Sequence, residues 1–222
     1  MSTDLHLGMF AEWRSRNFLA KRLRRLFRLK APIYGLEWGD PEIVPPLQYI
    51  RDQYVLPYID RNHVAVEIGP GGGRWTRYLL GFGKVIAVDL YSDVLDHLRN
   101  NFGSKRNLVF IRNNGSDFPG IEQGTVDFAF SFGTFVHLDV ETITSYLQGL
   151  RAIMKQSGNI VVQYSDKTKV MAQLNEGFSD NDPVRMRAAV RAAGFRIIEE
   201  DTTSLWHSSV MRFTPDSEDQ GR

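Results

Sequence analysis

Val64-Ala65-Val66-Glu67-Ile68-Gly69-Pro70-Gly71-Gly72-Gly73-Arg74 decides the fold. The apolar start of this run reads as a strand. Trp75-Thr76-Arg77-Tyr78-Leu79-Leu80, just beyond it, reads as the start of a helix. A strand that turns through glycines into a helix brings backbone N–H groups close to a ligand. The acid ahead of the glycines carries as much information. A pyrophosphate site avoids a carboxylate there, whereas a cationic ligand favours one.

Lys84-Val85-Ile86-Ala87-Val88 is a second, β-branched run, and it ends in Asp89. That acid lies about twenty residues past Gly69, the spacing at which a second strand presents a carboxylate to ribose hydroxyls. A dinucleotide fingerprint needs glycine where Arg74 stands, which weakens a nicotinamide reading. The pattern Glu-x-Gly-x-Gly-x-Gly, followed by an acid ending the next strand, resembles motifs I and II of the class I S-adenosylmethionine-dependent methyltransferases.

The resemblance covers roughly Val64 to Phe213. It implies an α/β fold: a doubly wound, seven-stranded, mostly parallel Rossmann-like sheet with a terminal antiparallel hairpin. The bound cofactor it implies is S-adenosyl-L-methionine, with S-adenosyl-L-homocysteine as product. By the same resemblance Glu67 organises the site near the methionine amino group. Gly69, Pro70, Gly71 and Gly73 form the cradle, and Asp89 accepts both ribose hydroxyls. Leu90 and Tyr91 flank the adenine. Asn114, followed by Gly115, stands where many relatives have an acid. Its amide oxygen can accept from the adenine amino group, with Asp117 a competitor. Arg74 falls near the cofactor carboxylate or a substrate anion. Ser131, Phe132 and Phe135 follow the fourth strand, beside the reacting methyl group.

Ser131-Phe132-Gly133-Thr134-Phe135-Val136-His137-Leu138-Asp139 also carries the most attractive chemical group in the chain. A hydroxyl is a poor nucleophile until its proton is removed, and neutral imidazole suits that task near pH 7. His137 is therefore the first candidate base, with packing as its alternative role. His207 and Asp166 are the others. Asp127, inside its strand, reads as a support of the sheet. The expected activity is O-methylation of a small molecule or of a sugar or glycan hydroxyl. The open alternatives are an RNA or protein acceptor, a non-catalytic cofactor-binding module and a nicotinamide-dependent oxidoreductase. No Asn-Pro-Pro-aromatic tetrapeptide is present, and no DNA acceptor is expected.

The remaining chain bounds this picture. Its 222 residues suit one catalytic domain with modest additions. The formal net charge of +1 gives no global nucleic-acid footprint. With no cysteine there is no disulfide or thiolate metal site, and no acidic cluster suggests a metal. No apolar run is long enough to span a membrane and no signal-peptide core is seen, so a cytoplasmic protein is expected. Charge is uneven, however. Arg14, Arg16, Lys21, Arg22, Arg24, Arg25, Arg28 and Lys30 interleave with Phe18, Leu19, Leu23, Leu26 and Phe27 at helical spacing. This basic amphipathic helix fits either packing on the domain or a second subunit, or contact with the inner membrane surface.

Three regions result: an N-terminal helical, substrate-covering extension over 1–60, a cofactor-binding catalytic domain over 61–213, and a disordered polar tail over 214–222. Within them the pattern predicts helices over 46–59, from the glycine loop to Phe82, and over 92–98 with Ser92 as N-cap. A helix capped by Asp139 is expected to stop at Ser157-Gly158, before a strand over 160–162. Another, capped by Asp182 with Pro183 at its first position, is expected to stop at Gly194. Strands are expected over 108–111, 126–131, 195–198 and 209–213.

Overall fold

Alternation along β1 (Val64–Ile68) shows how the sheet is covered: Val66 and Ile68 feed one core, Ala65 the other, and all three are buried. A parallel strand flanked on both faces has no solvent side, which is why the sequence here is nearly all apolar. The computed structural model describes residues 33–217. Strands β2 (Lys84–Asp89), β3 (Leu108–Arg112), β4 (Val126–Ser131), β5 (Met154–Ser165), β6 (Phe195–Asp201) and β7 (Ser208–Pro215) join β1 in a seven-stranded sheet of order β3-β2-β1-β4-β5-β7-β6. The first five pair in parallel, and β7 runs antiparallel to both β5 and β6. The doubly wound sheet and its terminal hairpin are therefore as expected.

The helices are α1 (Pro45–Tyr54), α2 (Thr76–Leu79), α3 (Ser92–Phe102), α4 (Val140–Ile153), α5 (Val170–Gln173) and α6 (Pro183–Ala192). Ile143, Leu147 and Leu150 of α4 pack with Met186 and Val190 of α6 on one face of the sheet. Leu47, Ile50 and Tyr54 of α1 pack with Leu98 of α3 on the other. Each fully buried aliphatic side chain contributes roughly 1.5–3 kcal/mol. Asp139 and Asp182 cap α4 and α6 as anticipated, accepting from Thr142 N at 2.8 Å and Val184 N at 2.7 Å.

Several boundaries differ from expectation. Helix α1 stops at Tyr54, and a 3-10 turn over Leu56–Tyr58 follows. Pro57 lacks the N–H a longer helix would use, and its ring would clash with the preceding turn. Helix α2 is a single turn ending before Gly81. Tyr91, in extended conformation, is the N-cap of α3; Ser92 is already helical, and α3 continues to Phe102 rather than stopping at Leu98. Helix α4 stops at Ile153, and Ser157-Gly158 lie inside β5, where pairing with β4 shifts register. Tertiary pairing overrides the glycine as a stop signal. Thr214, placed at the start of the tail, belongs to β7 and pairs with Arg196. The basic helix over 14–30 and the last residues of the tail lie outside the described residues.

Residues 45–58 also share the sheet's core. Tyr54 is buried, and its hydroxyl donates to Glu199 Oε1 of β6 at 3.0 Å. This part of the N-terminal extension is structurally continuous with the domain. Among the described residues no helix is long and apolar enough to cross a membrane.

Candidate active site

Strand order reverses between β1 and β4, and ligands of open α/β sheets bind beyond the strand ends at such a point. The loops there are sewn together. Ser131 Oγ donates to Ile68 O at 3.0 Å, and a Cβ on Gly69 would lie 1.9 Å from Thr134 Oγ1. Gly69 also has φ +69°, so only glycine suits both its conformation and its neighbour. Gly72 is needed for a different reason: a Cβ there would meet Tyr34 N at 2.3 Å. Gly72 N donates to Tyr34 O at 3.2 Å, so the segment entering the domain lies directly on the glycine loop.

Between these loops opens a cavity of about 680 Å³. Its walls come from Gly69 and Gly71 after β1, Asp89 and Leu90 at the end of β2, Gly115 after β3, and His137 after β4. Those members of the anticipated site are brought together. Asp89 is only partly exposed, and desolvation pushes its carboxyl up to about 7. Backbone N–H groups oppose that rise, Tyr91 N donating to Oδ1 at 2.9 Å.

Glu67 takes another place. It is buried beneath the glycine loop and does not line the cavity. Its Oε2 accepts from Thr76 Oγ1 at 2.6 Å, while desolvation pushes the carboxyl up to about 8. Arg74 is buried as well. Its Nη1 donates to the carbonyls of Trp38 and Gly39, both at 3.4 Å, and its guanidinium lies 5.5 Å from the centre of the Phe132 ring. Arg74 thus fastens the 35–39 turn to the domain rather than pointing into the cavity. Phe132 belongs to the aromatic stack of Trp75 and Phe130 behind the site, and Trp38 packs edge-on against Tyr34. Pro70, Gly73, Asn114 and Ser131 are near the strand ends without lining the cavity. Asn114 Oδ1 is engaged by Ser116 N and Asp117 N, at 3.0 and 3.1 Å. Phe135 is fully buried in the α4-side core.

Of the candidate bases, His137 alone lines the cavity. Nδ1 lies 2.7 Å from Gly177 O. A carbonyl only accepts, so Nδ1 carries the proton and Nε2 keeps its lone pair. Burial lowers the pKa of the ring, which favours the neutral form at pH 7. His207 stands one ring away, with Phe178 edge-on to both histidines, at 5.5 Å from His137 and 5.2 Å from His207. Asp166 is buried and occupied: it accepts from Ser209 Oγ at 2.6 Å and Thr168 Oγ1 at 2.5 Å. Its hydrogen bonds hold the end of β5 to β7. Asp127 supports the sheet as expected, accepting from Val64 N and Lys155 Nζ.

Sequence reasoning missed the rest of the lining. Tyr34, Val94, Tyr146 and the 176–180 loop all line the cavity. Asn113 is a buried amide behind the lining: Nδ2 donates to Tyr146 Oη at 3.0 Å, and Oδ1 accepts from Gly115 N at 3.1 Å. The Asn-Gly dipeptide marks the turn, but nothing local in the sequence points to Tyr146. Among the described residues no group of three or more His, Cys, Asp or Glu is arranged to hold a metal ion.

This arrangement agrees with the comparisons. Residues 65–158 match the family model described as a methyltransferase domain. No curated protein matches the chain. Among solved structures, a protein from Pyrococcus horikoshii OT3 is similar at TM-score 0.67 and 17% identity, over 88% of this chain and 99% of that one. An S-adenosylmethionine-dependent methyltransferase from Clostridium acetobutylicum is similar at TM-score 0.62 and 12% identity, over 91% and 99%. The complex of the Haloferax volcanii Trm112 methyltransferase activator with a putative methyltransferase gives TM-score 0.69 and 16% identity, over 94% and 96%. At such identities the likeness is one of fold.

Proposed function

We propose that this chain, whose methyltransferase domain is of the class I S-adenosylmethionine-dependent type, methylates a hydroxyl of a small molecule or sugar, with His137 as the base. The observation that carries the reading is the single cavity shared by the glycine cradle, Asp89 and His137. The residues present fit S-adenosylmethionine. The backbone of Gly69 and Gly71 lines the cavity directly, and Asp89 supplies a carboxylate with few competing partners for ribose hydroxyls.

When bound, S-adenosylmethionine supplies an electrophilic methyl on a positively charged sulfur. The chain's own work is alignment, exclusion of water and removal of one proton. Methyl transfer to an oxygen would leave a neutral thioether as the departing group and would require the hydroxyl to give up its proton. The hydroxyl proton passes to Nε2 of His137. The Gly177 carbonyl holds the imidazole in that tautomer and is positioned to stabilise the imidazolium, since Nδ1–H still donates to it. Glu67 and Thr76 act from below, holding the glycine loop and the start of α2 in register.

A compartment in the cytoplasm, and contact of the basic N-terminal segment with a membrane surface or a second copy, remain part of the proposal. The test is incubation of the full chain with methyl-labelled S-adenosylmethionine and a small-molecule extract. Label in an acid-stable methyl ether supports the reading. Label in RNA or protein instead redirects it to a macromolecular acceptor.

A further inference from the structure

Tyr146, on α4, lines the cavity and reaches Asn113, the residue that follows β3. Its ring is buried, edge-on to Phe118 at 5.8 Å and tilted against Phe135 at 5.4 Å, so packing sets its orientation. Oη accepts from Asn113 Nδ2 at 3.0 Å, and backbone groups fix the sense of that bond. Nδ2 also lies 3.1 Å from Asp117 O, a carbonyl that only accepts. Oδ1 lies 3.1 Å from Gly115 N, which only donates. The amide therefore cannot be turned over, and it presents a donor to the phenol. A tyrosine hydroxyl has one proton of its own. With Asn113 donating to the oxygen, that proton has no acceptor among the described residues. Burial pushes the phenol up to about 12, so the proton is held at neutral pH.

Position in the cavity selects the ligand group. Strands β1, β2 and β3 are neighbours, and their ends supply Gly69 and Gly71, then Asp89, then Gly115 to the lining. With the glycine loop on the amino-acid part and Asp89 on the ribose, the base extends towards β3. The sequence places Asn114 there as an acceptor for the adenine amino group, but its Oδ1 is engaged by Ser116 N and Asp117 N. The amino group of adenine donates, whereas its unsubstituted ring nitrogens accept. Resting on the methyltransferase reading above, we infer that the Tyr146 hydroxyl, aligned by Asn113, donates a hydrogen bond to a ring nitrogen of the cofactor's adenine. The base is recognised by a donor on α4, and the residue after β3 is a positioning residue for that donor. An unsatisfied buried hydroxyl is costly, so a ligand that lacks the matching nitrogen forfeits the bond and leaves the proton unpaired.

The test is calorimetric titration of S-adenosylhomocysteine and its 1-deaza, 3-deaza and 7-deaza analogues, each with one ring nitrogen replaced by C–H. They are titrated into the full chain and into Tyr146→Phe, with the thermal midpoint as the check of folding. In wild type at least one analogue should bind about fivefold or more weaker than the parent, as loss of one hydrogen bond requires. In Tyr146→Phe the parent should weaken by a similar factor, and the penalty on that analogue should vanish. Wild type alone gives a second readout. In protein carrying isotope-labelled tyrosine, the Cζ resonance of Tyr146 should move on binding the parent and stay in place on binding that analogue. Equal binding of all four ligands to wild type overturns the inference and leaves the cofactor reading intact. So does a penalty that persists in Tyr146→Phe, since a packing role weakens every ligand alike, or a Cζ resonance that responds to all ligands equally. Failure of S-adenosylhomocysteine to bind folded wild type brings down the methyltransferase reading, and the inference with it.

Discussion

Thr76 Oγ1 donates a 2.6 Å hydrogen bond to Oε2 of Glu67, a carboxyl with almost no exposed surface. This single contact ties the end of β1 to the first turn of α2 across the glycine loop. It also opposes the desolvation that pushes the Glu67 carboxyl up to about 8. A buried acid is costly when charged and tolerable when protonated.

Glu67→Gln tests that balance. With its folded pKa above the unfolded value, native Glu67 holds a proton that the unfolded chain has released. Its contribution to stability therefore falls as pH rises from about 4.5 to about 8, and levels off above that. The glutamine variant lacks this loss. Its thermal midpoint should gain on the wild type across that window and hold the gain at pH 9. A constant difference at all pH values would show that Glu67 does not titrate in the folded protein. Thr76→Val should move the wild-type behaviour the other way, losing about 1–3 kcal/mol because the buried carboxyl is left without its partner.

Gly69→Ala should be among the most damaging small substitutions. The left-handed φ of +69° and the Thr134 side chain both stand against a Cβ. We expect a loss of about 2 kcal/mol or more in urea unfolding. Combining it with Thr134→Ala should recover part of that loss, because the clash is with this one side chain. Strict additivity of the two substitutions would contradict the contact.

His137→Gln should separate binding from chemistry. Loss of a general base costs about 10²–10⁴-fold in kcat. Affinity for S-adenosylhomocysteine should change by no more than about threefold, since the proposed cofactor contacts are the glycine loop and Asp89 rather than this ring. In the wild type, kcat should rise with pH through a value below the ordinary histidine range, because burial favours the neutral ring. Near-normal kcat in the variant would assign His137 a packing role.

The sheet was legible in the sequence because its strands are buried on both faces: Val64–Ile68, Lys84–Asp89 and Val126–Ser131 read as mostly apolar runs, with polar residues chiefly at or near their ends. Asp139 and Asp182 were legible because a cap is a local interaction. Gly158 misled for the converse reason: its place within β5 depends on pairing with β4 and β7, which no local window contains. The glycine loop and Asp89 were legible from a strand–glycine–helix pattern and an acid ending the next strand, the features that carry the family resemblance. Arg74 was placed near the ligand by position, but its length lets it turn back to the carbonyls of Trp38 and Gly39. Tyr34, Tyr146 and the 176–180 loop reach the cavity from distant parts of the chain, so only the fold reveals them.

The most direct measurement is calorimetric titration of S-adenosylmethionine, S-adenosylhomocysteine and NAD into wild type and Asp89→Ala at several pH values. Saturable binding of the first two and not NAD is predicted. It should weaken by up to about tenfold per pH unit as pH falls below about 7, where Asp89 takes up a proton, loses its charge and can no longer accept at both oxygens. In folded Asp89→Ala binding should be lost. Binding of NAD alone, or of neither sulfonium nor thioether ligand to a folded wild type, would contradict the account.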